Sequence, residues 1–309
     1  MTAGTSPNAP SLTGSRSRQV RERLIGRLFL GAALLSVVIT VFIILSVLGG
    51  AITFVSQIDL DQLFTAGWFP RRGMFDIPTL LIGSLLVTGI AMLIAAPVGL
   101  LSAIYLAEYA SPKVRGTVKP VLEVLAGVPS VVLGFFALTI INPYFIQNLV
   151  PSADGFNLAA AAVAVGILTV PLVATISEDS MRAVPIALRE ASYGLGARRV
   201  TTATRVVVPA AISGIVAAMI LGISRAVGET MVVAIAAGAS GGALRGWNPF
   251  EQGQTMTAAM AALATGSDQV AGNNAAFQSL FFVGLLLFLI TLGLNVAGDA
   301  YVRRVRQSY

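Results

Sequence analysis

Two charged side chains stand inside a stretch of sequence that otherwise has none. Ser224-Arg225-Ala226-Val227-Gly228-Glu229-Thr230-Met231 lies within the apolar run 206–239. An arginine at mid-bilayer costs about 2.5 to 3.5 kcal/mol on insertion scales, so it has to face protein or water rather than lipid. On a continuous helix Glu229, four residues on, shares a face with Arg225, and the two can pair. One reading is a neutralising pair that fixes helix packing. The other is that Arg225 faces an aqueous path, where its planar fork matches two oxygens of an oxyanion. Glu229 would then hold the fork, or compete with the anion so that release follows.

Few other residue types offer chemistry. The chain has no cysteine and no histidine, which removes thiolate and imidazole ligands, nucleophiles and bases. Lys113 and Lys119 are the only lysines, and neither closes a G-x-x-x-x-G-K-[ST] loop. The chain therefore lacks the lysine that would meet nucleotide phosphates and the hydroxyl that would hold magnesium. The run Gly238-Ala239-Ser240-Gly241-Gly242 is followed by no such lysine and reads as a plain flexible loop. No paired carboxylates or nucleophile–base spacing emerge. The expectation is a transport chain, not an enzyme, with no catalytic residue, metal or cofactor of its own.

The elements that must position Arg225 and Glu229 follow from composition. Charged residues make up 11 % of the 309, hydrophobic ones 56 %, and mean hydropathy is +0.84, against about 25 % charged in a soluble domain. A water-soluble enzyme is excluded. Apolar stretches at about 28–51, 78–106, 118–150, 158–177, 206–239 and 277–300 each reach the roughly 20 residues that cross a bilayer. The sequence thus predicts an all-α, six-helix membrane domain over 28–309, after a disordered, basic cytoplasmic tail at 1–27. The first stretch exceeds a signal h-region and is read as a retained helix. Pro97, Pro129 and Pro171 are candidate kinks.

Sixteen of the twenty basic residues fall on one side of this arrangement, at Arg16–Arg27, Lys113–Lys119, Arg182–Arg205 and Arg303–Arg306. The positive-inside rule then puts both termini in the cytoplasm, and the net charge of +6 is a topology signal rather than a nucleic-acid footprint. Outside lies a loop at 52–77 in which Trp68 is either an interfacial anchor or a docking point for an external partner. Glu108 and Glu123 flank the basic inner segment and are expected at the membrane interface, not in a proton relay.

The inner segment 178–205 is long for a connection between bundle helices, and it is expected to fold into a short surface helix followed by a reversal at Gly194 and Gly196. Glu190-Ala191-Ser192, then Gly196, then nine residues to Val206-x-Val208-Pro209 resembles the E-A-A, G, I-x-L-P signature of permease subunits of ATP-binding-cassette importers. Ser192 stands for one Ala, and Val206 and Val208 for Ile and Leu. The resemblance implies a type I importer permease fold. It also implies a coupling loop in which Glu190, Ala191 and Gly196 meet a separate ATPase, which would carry ATP and magnesium.

Further segments are similar to the phosphate-specific, PstC-type branch: Ala103 to Ala110, Leu125 to Val132, Ile176 to Asp179, Arg225 to Met231 and Leu287 to Asn295. The PstA-type sister permease shares the Pro-Ser and Gly-Glu-Thr features. This likeness implies a multi-pass protein of the bacterial inner membrane that forms half of a phosphate pore, with Arg225 and Glu229 on the translocation pathway. Implied partners are a PstA-like permease, a PstB-like ATPase dimer, an external PstS-like phosphate-binding protein and membrane lipid, and no nucleic acid. The rival reading is a gradient-driven anion transporter or channel using Glu229 as a proton site, against which the coupling-loop spacing stands.

Overall fold

The computed structural model describes residues 16–64, 67–238, 242, 247–266 and 274–305. Residues 1–15 of the expected tail, 239–241 of the Gly-rich run, Arg245 and Arg306 lie outside the described residues. Helix α1, Arg16–Gln57, starts at the first arginine, so the segment 16–27, expected as tail, forms the opening turns of a helix. Its apolar side chains up to Leu45 are exposed on every side, which is the pattern of a helix solvated by lipid.

The remaining chain, from Gly50, forms a second unit. It contains α2 (Ile77–Ile104), α3 (Pro112–Ala126), α4 (Ser130–Phe136), α5 (Leu158–Arg182), α6 (Ile186–Gly194), α7 (Arg199–Thr202), α8 (Ile212–Val227), α9 (Met231–Ala236), α10 (Met256–Ala264) and α11 (Asn274–Val305). Five helical stretches of the described chain are long and apolar enough to cross a membrane, and the bent pair Arg199–Ala210 and Ile212–Val227 makes six if counted as one span.

Two expected spans are interrupted. The third stretch breaks at Gly127-Val128-Pro129: α3 ends, and Pro129, extended at φ −58 and ψ 131, caps α4. Proline supplies no ladder donor and pushes the residue before it out of the helical region. Beyond α4 the helix widens over Ala137–Ile146 around Pro143 and ends at Leu149. By contrast, α2 and α5 run unbroken through Pro97 and Pro171. The fifth stretch bends by 72° at Ala211, just after Pro209 and the widened turn Ala203–Val207.

The core is built on α2 and α5, which pack along their lengths. Alanines on α5 from Ala159 to Ala164 are buried with Val87 and Ala91 of α2. Small residues permit the close approach that drives helix association in lipid. A Cβ on Gly99 would stand 2.8 Å from the Val173 side chain and 3.3 Å from the Ala174 nitrogen, so nothing larger fits that crossing. The start of α5 is capped by its own Asn157, whose Oδ1 accepts Ala160 N–H (2.8 Å), and from afar, where Leu158 N–H donates to Glu251 O (3.2 Å) and Ala159 N–H to Pro249 O (2.7 Å). These bonds satisfy donors that a helix terminus leaves open.

The described part of 247–264 is the segment just named followed by α10, most of whose residues are buried. One outer residue differs from expectation. Trp68 is fully buried rather than interfacial. It sits on the two-residue hairpin of β1 (Trp68–Phe69) and β2 (Met74–Phe75), edge-on to Phe75 at 6.0 Å and in one cluster with Phe54 and Leu80. The loop has too many large apolar side chains to leave this indole in the interface.

At the other end, α3 is fastened to α5 by charge. Glu178 is fully buried; Lys119 Nζ reaches its Oε2 at 2.7 Å and Asp179 Oδ1 at 2.6 Å, with Arg115 and Arg182 at 3.6 and 3.7 Å from Oε1. Burial alone would lower the Lys119 ammonium, but hydrogen bonds to Asp179 and Glu178 and their charges raise it above its ordinary value.

Replacing Gly99 by leucine is expected to cost about 1 to 3 kcal/mol through overpacking. The check is a lowered thermal midpoint of the detergent-solubilised protein, while Gly116→Leu, which meets nothing within 4 Å, leaves it unlowered. Glu178→Ala strands Lys119 beside an emptied site and is expected to cost about 3 kcal/mol. In the same melt Asp179→Asn, at an exposed position, loses less than about 1 kcal/mol.

Candidate functional site

The segment 178–205 is anchored at both ends by its own chain. Because α5 continues to Arg182, the first residues assigned to the loop are helical turns. Val184 and Pro185 make the corner, and Pro185, extended at φ −55 and ψ 137, opens α6. None of the nine α6 residues is buried. Its inner face carries Leu188, which packs against the buried cluster of Ala103, Met181, Val184 and Val207. Glu190 and Ala191 face out and are exposed.

The reversal uses one glycine of the two expected. Gly194 is the last helical residue, while Gly196 stands alone in the left-handed region at φ +77, where a side chain is strained. Its N–H donates to Tyr193 O at 2.9 Å, and Ala197 N–H to Ser192 O at 3.1 Å. Ser192, the departure from the signature's alanine, joins its hydroxyl to that of Thr202 at 2.9 Å and so ties α6 to α7. Around the turn Ile186, Tyr193 and Leu195 are exposed, Leu195 at 90 %. These side chains make an exposed apolar knob, and Arg182, Glu190, Arg198 and Arg199 of the same segment are exposed as well.

One pair at this site was not legible beforehand. Glu108, expected at the interface, is 6 % exposed and paired with Arg189 of α6, Nη2 to Oε1 at 3.0 Å. The two residues lie 81 positions apart, so no local spacing could have joined them.

Arg225 and Glu229 do not share a helix. α8 stops at Val227, Gly228 and Glu229 are non-helical, and α9 begins at Met231. The i,i+4 geometry therefore does not exist, and among the described residues no ion pair within 4.0 Å includes either one. Arg225 is exposed in the last turn of α8, where helix carbonyls favour a cation. Glu229 turns toward α9, its Oε1 3.5 Å from Val232 N–H, and its backbone oxygen accepts the Thr257 hydroxyl of α10 at 2.8 Å. Each charge is thus supported by the end of a different helix, and the guanidinium is left open.

The family described as binding-protein-dependent transport system inner membrane component matches residues 95–307. A probable ABC transporter permease protein, YqgH of Bacillus subtilis, is 34% identical over 80% of this chain and 81% of its own. A phosphate transport system permease protein, PstC 1 of Mycobacterium bovis, is 33% identical over 77% and 75%. A chain of a bacterial alginate ABC transporter, solved with its pentasaccharide-bound periplasmic protein, has the same fold at a TM-score of 0.63 and 16% identity over 93% of this chain and 98% of that one. With five candidate spans among the described residues, six if the bent pair is one, an exposed loop helix and a family match over two thirds of its length, this chain belongs to the inner membrane components of binding-protein-dependent transport systems.

Proposed function

We propose that the chain is a permease subunit of an ATP-driven importer of inorganic phosphate and forms half of its pore. The observation that carries the reading is α6 with its turn: Glu190 and Ala191 exposed, Gly196 left-handed, and an apolar knob beside them. Such a surface suits a groove on a cytoplasmic ATPase, and the chain's own lysines offer no nucleotide loop. Dependence on a binding protein comes with the family, and phosphate is favoured by the PstC-type relative that matches three quarters of both chains.

In this scheme a PstB-like ATPase dimer binds ATP and magnesium and closes. Closure pushes on α6, and the helices rock between outward-open and inward-open states. A PstA-like permease completes the pore, and a PstS-like protein delivers phosphate from outside. The N- and C-termini lie in the cytoplasm, as the distribution of arginine and lysine favours. Arg225 meets the passing oxyanion with its open guanidinium. Glu229, held against the start of α9, lowers the net positive potential enough for the anion to leave.

Glu190→Lys and Gly196→Leu are expected to leave membrane insertion intact and to lower ATP-driven phosphate uptake at least tenfold. If ATPase association and uptake both survive, the docking assignment is wrong. Arg225→Gln is expected to abolish uptake with expression within twofold of wild type; full uptake would reduce Arg225 to a packing residue.

A further inference from the structure

α6 buries none of its residues, so apolar contact alone holds it weakly, yet one side chain ties it to three places at once. Arg189 Nη1 donates to Val184 O at 2.6 Å, Nη2 to Met181 O at 2.8 Å and to Glu108 Oε1 at 3.0 Å, and Nε to the same Oε1 at 3.2 Å. Met181 belongs to the last turn of α5, Val184 to the corner after it, and Glu108 to the turn that continues α2. All four bonds have an ionised donor, and two end on a carboxylate; hydrogen bonds with an ionised partner are about twice as strong as neutral ones. Among the described residues Arg189 is the one ion-pair partner of the buried Glu108.

Glu108 sits in an unusual piece of helix. Tyr105–Tyr109 is a widened turn in which Ala110 N–H reaches back to Tyr105 O at 2.8 Å. Leu106 O in the same turn accepts both Arg115 Nε and Nη2, at 3.1 and 2.9 Å. A second widened turn, Ala203–Val207, lies where the chain leaves the loop for α8. Val207 of that turn is buried in one cluster with Ala103, Met181 and Val184, the same cluster that receives Leu188. Widened turns of this kind occur frequently at functional sites. The base of α6 therefore rests between two such turns, and Arg189 is the polar link to one of them.

We propose that Arg189 and Glu108 are positioning residues for energy coupling: they form the joint through which a displacement of α6 reaches the ends of α2 and α5. The inference rests on the reading of α6 as the ATPase contact. Glu190 and Ala191 are exposed and take no part in these bonds, so docking and transmission are separable. Removing the joint leaves the ATPase bound and turning over while the helices no longer follow.

The test uses the complex reconstituted with sister permease, ATPase and phosphate-binding protein, and reads ATPase co-purification, ATP hydrolysis and phosphate moved per ATP. The double variant Glu108→Gln/Arg189→Gln, which leaves no unpaired buried charge, is expected to keep co-purification and hydrolysis within twofold while phosphate per ATP falls at least tenfold. Arg189→Lys retains the charge but loses the fork, and is expected to fall between; it decides by the same ratio if the double variant does not assemble. An unchanged ratio overturns the proposal. Loss of ATPase in step with transport also overturns it, making Arg189 a docking residue. A wild-type chain that retains no ATPase overturns the α6 reading itself, before any variant is compared.

Discussion

Hydrocarbon solvates neither a charge nor an open backbone group, and the arrangement of this chain follows from that constraint. Packing between helices is left to small residues, as where Gly99 lies against Val173 and alanines of α5 face α2. Among the described residues of the second unit, most ion pairs collect at one end, where Glu178 holds Lys119, Arg115 and Arg182 and Glu108 holds Arg189. Even the start of α5 takes its partners from a distant segment, Pro249 to Glu251, rather than leave its donors open.

The same constraint separates two kinds of polar resource. At the basic end, buried carboxylates bind α3, α5 and α6 into a common frame, so a push delivered to the exposed helix meets connected elements rather than a loose loop. Far along the fifth stretch, the chain breaks its helix and leaves Arg225 at one helix end and Glu229 before another. Helix termini there support charges that a continuous helix would have forced to neutralise each other. In the proposed scheme the first region receives force and the second passes an anion.

Much of this was legible in the sequence, and the failures have identifiable causes. Apolar run length marked the six candidate spans, and the spacing from Glu190 to Pro209 marked α6 and its turn. Run length could not show where helices stop, because hydropathy continues through Val128-Pro129, Ala211 and Gly228 while the backbone does not. The expected Arg225–Glu229 couple failed for that reason. Trp68 was misplaced because composition cannot distinguish an interfacial indole from one covered by Phe54 and Phe75. Glu108 with Arg189, and Glu178 with Lys119, were invisible because their partners are remote in sequence.

The central claim is that this chain moves phosphate only as part of an ATP-fed assembly. Uptake of labelled phosphate into proteoliposomes tests it most directly, with the chain alone and then with its sister permease, ATPase, binding protein and ATP. The account predicts uptake in the complete, ATP-supplied system and none when the ATPase or ATP is withheld. Uptake by the chain alone would contradict it, and would identify a channel or gradient-driven transporter in which α6 has no ATPase to meet.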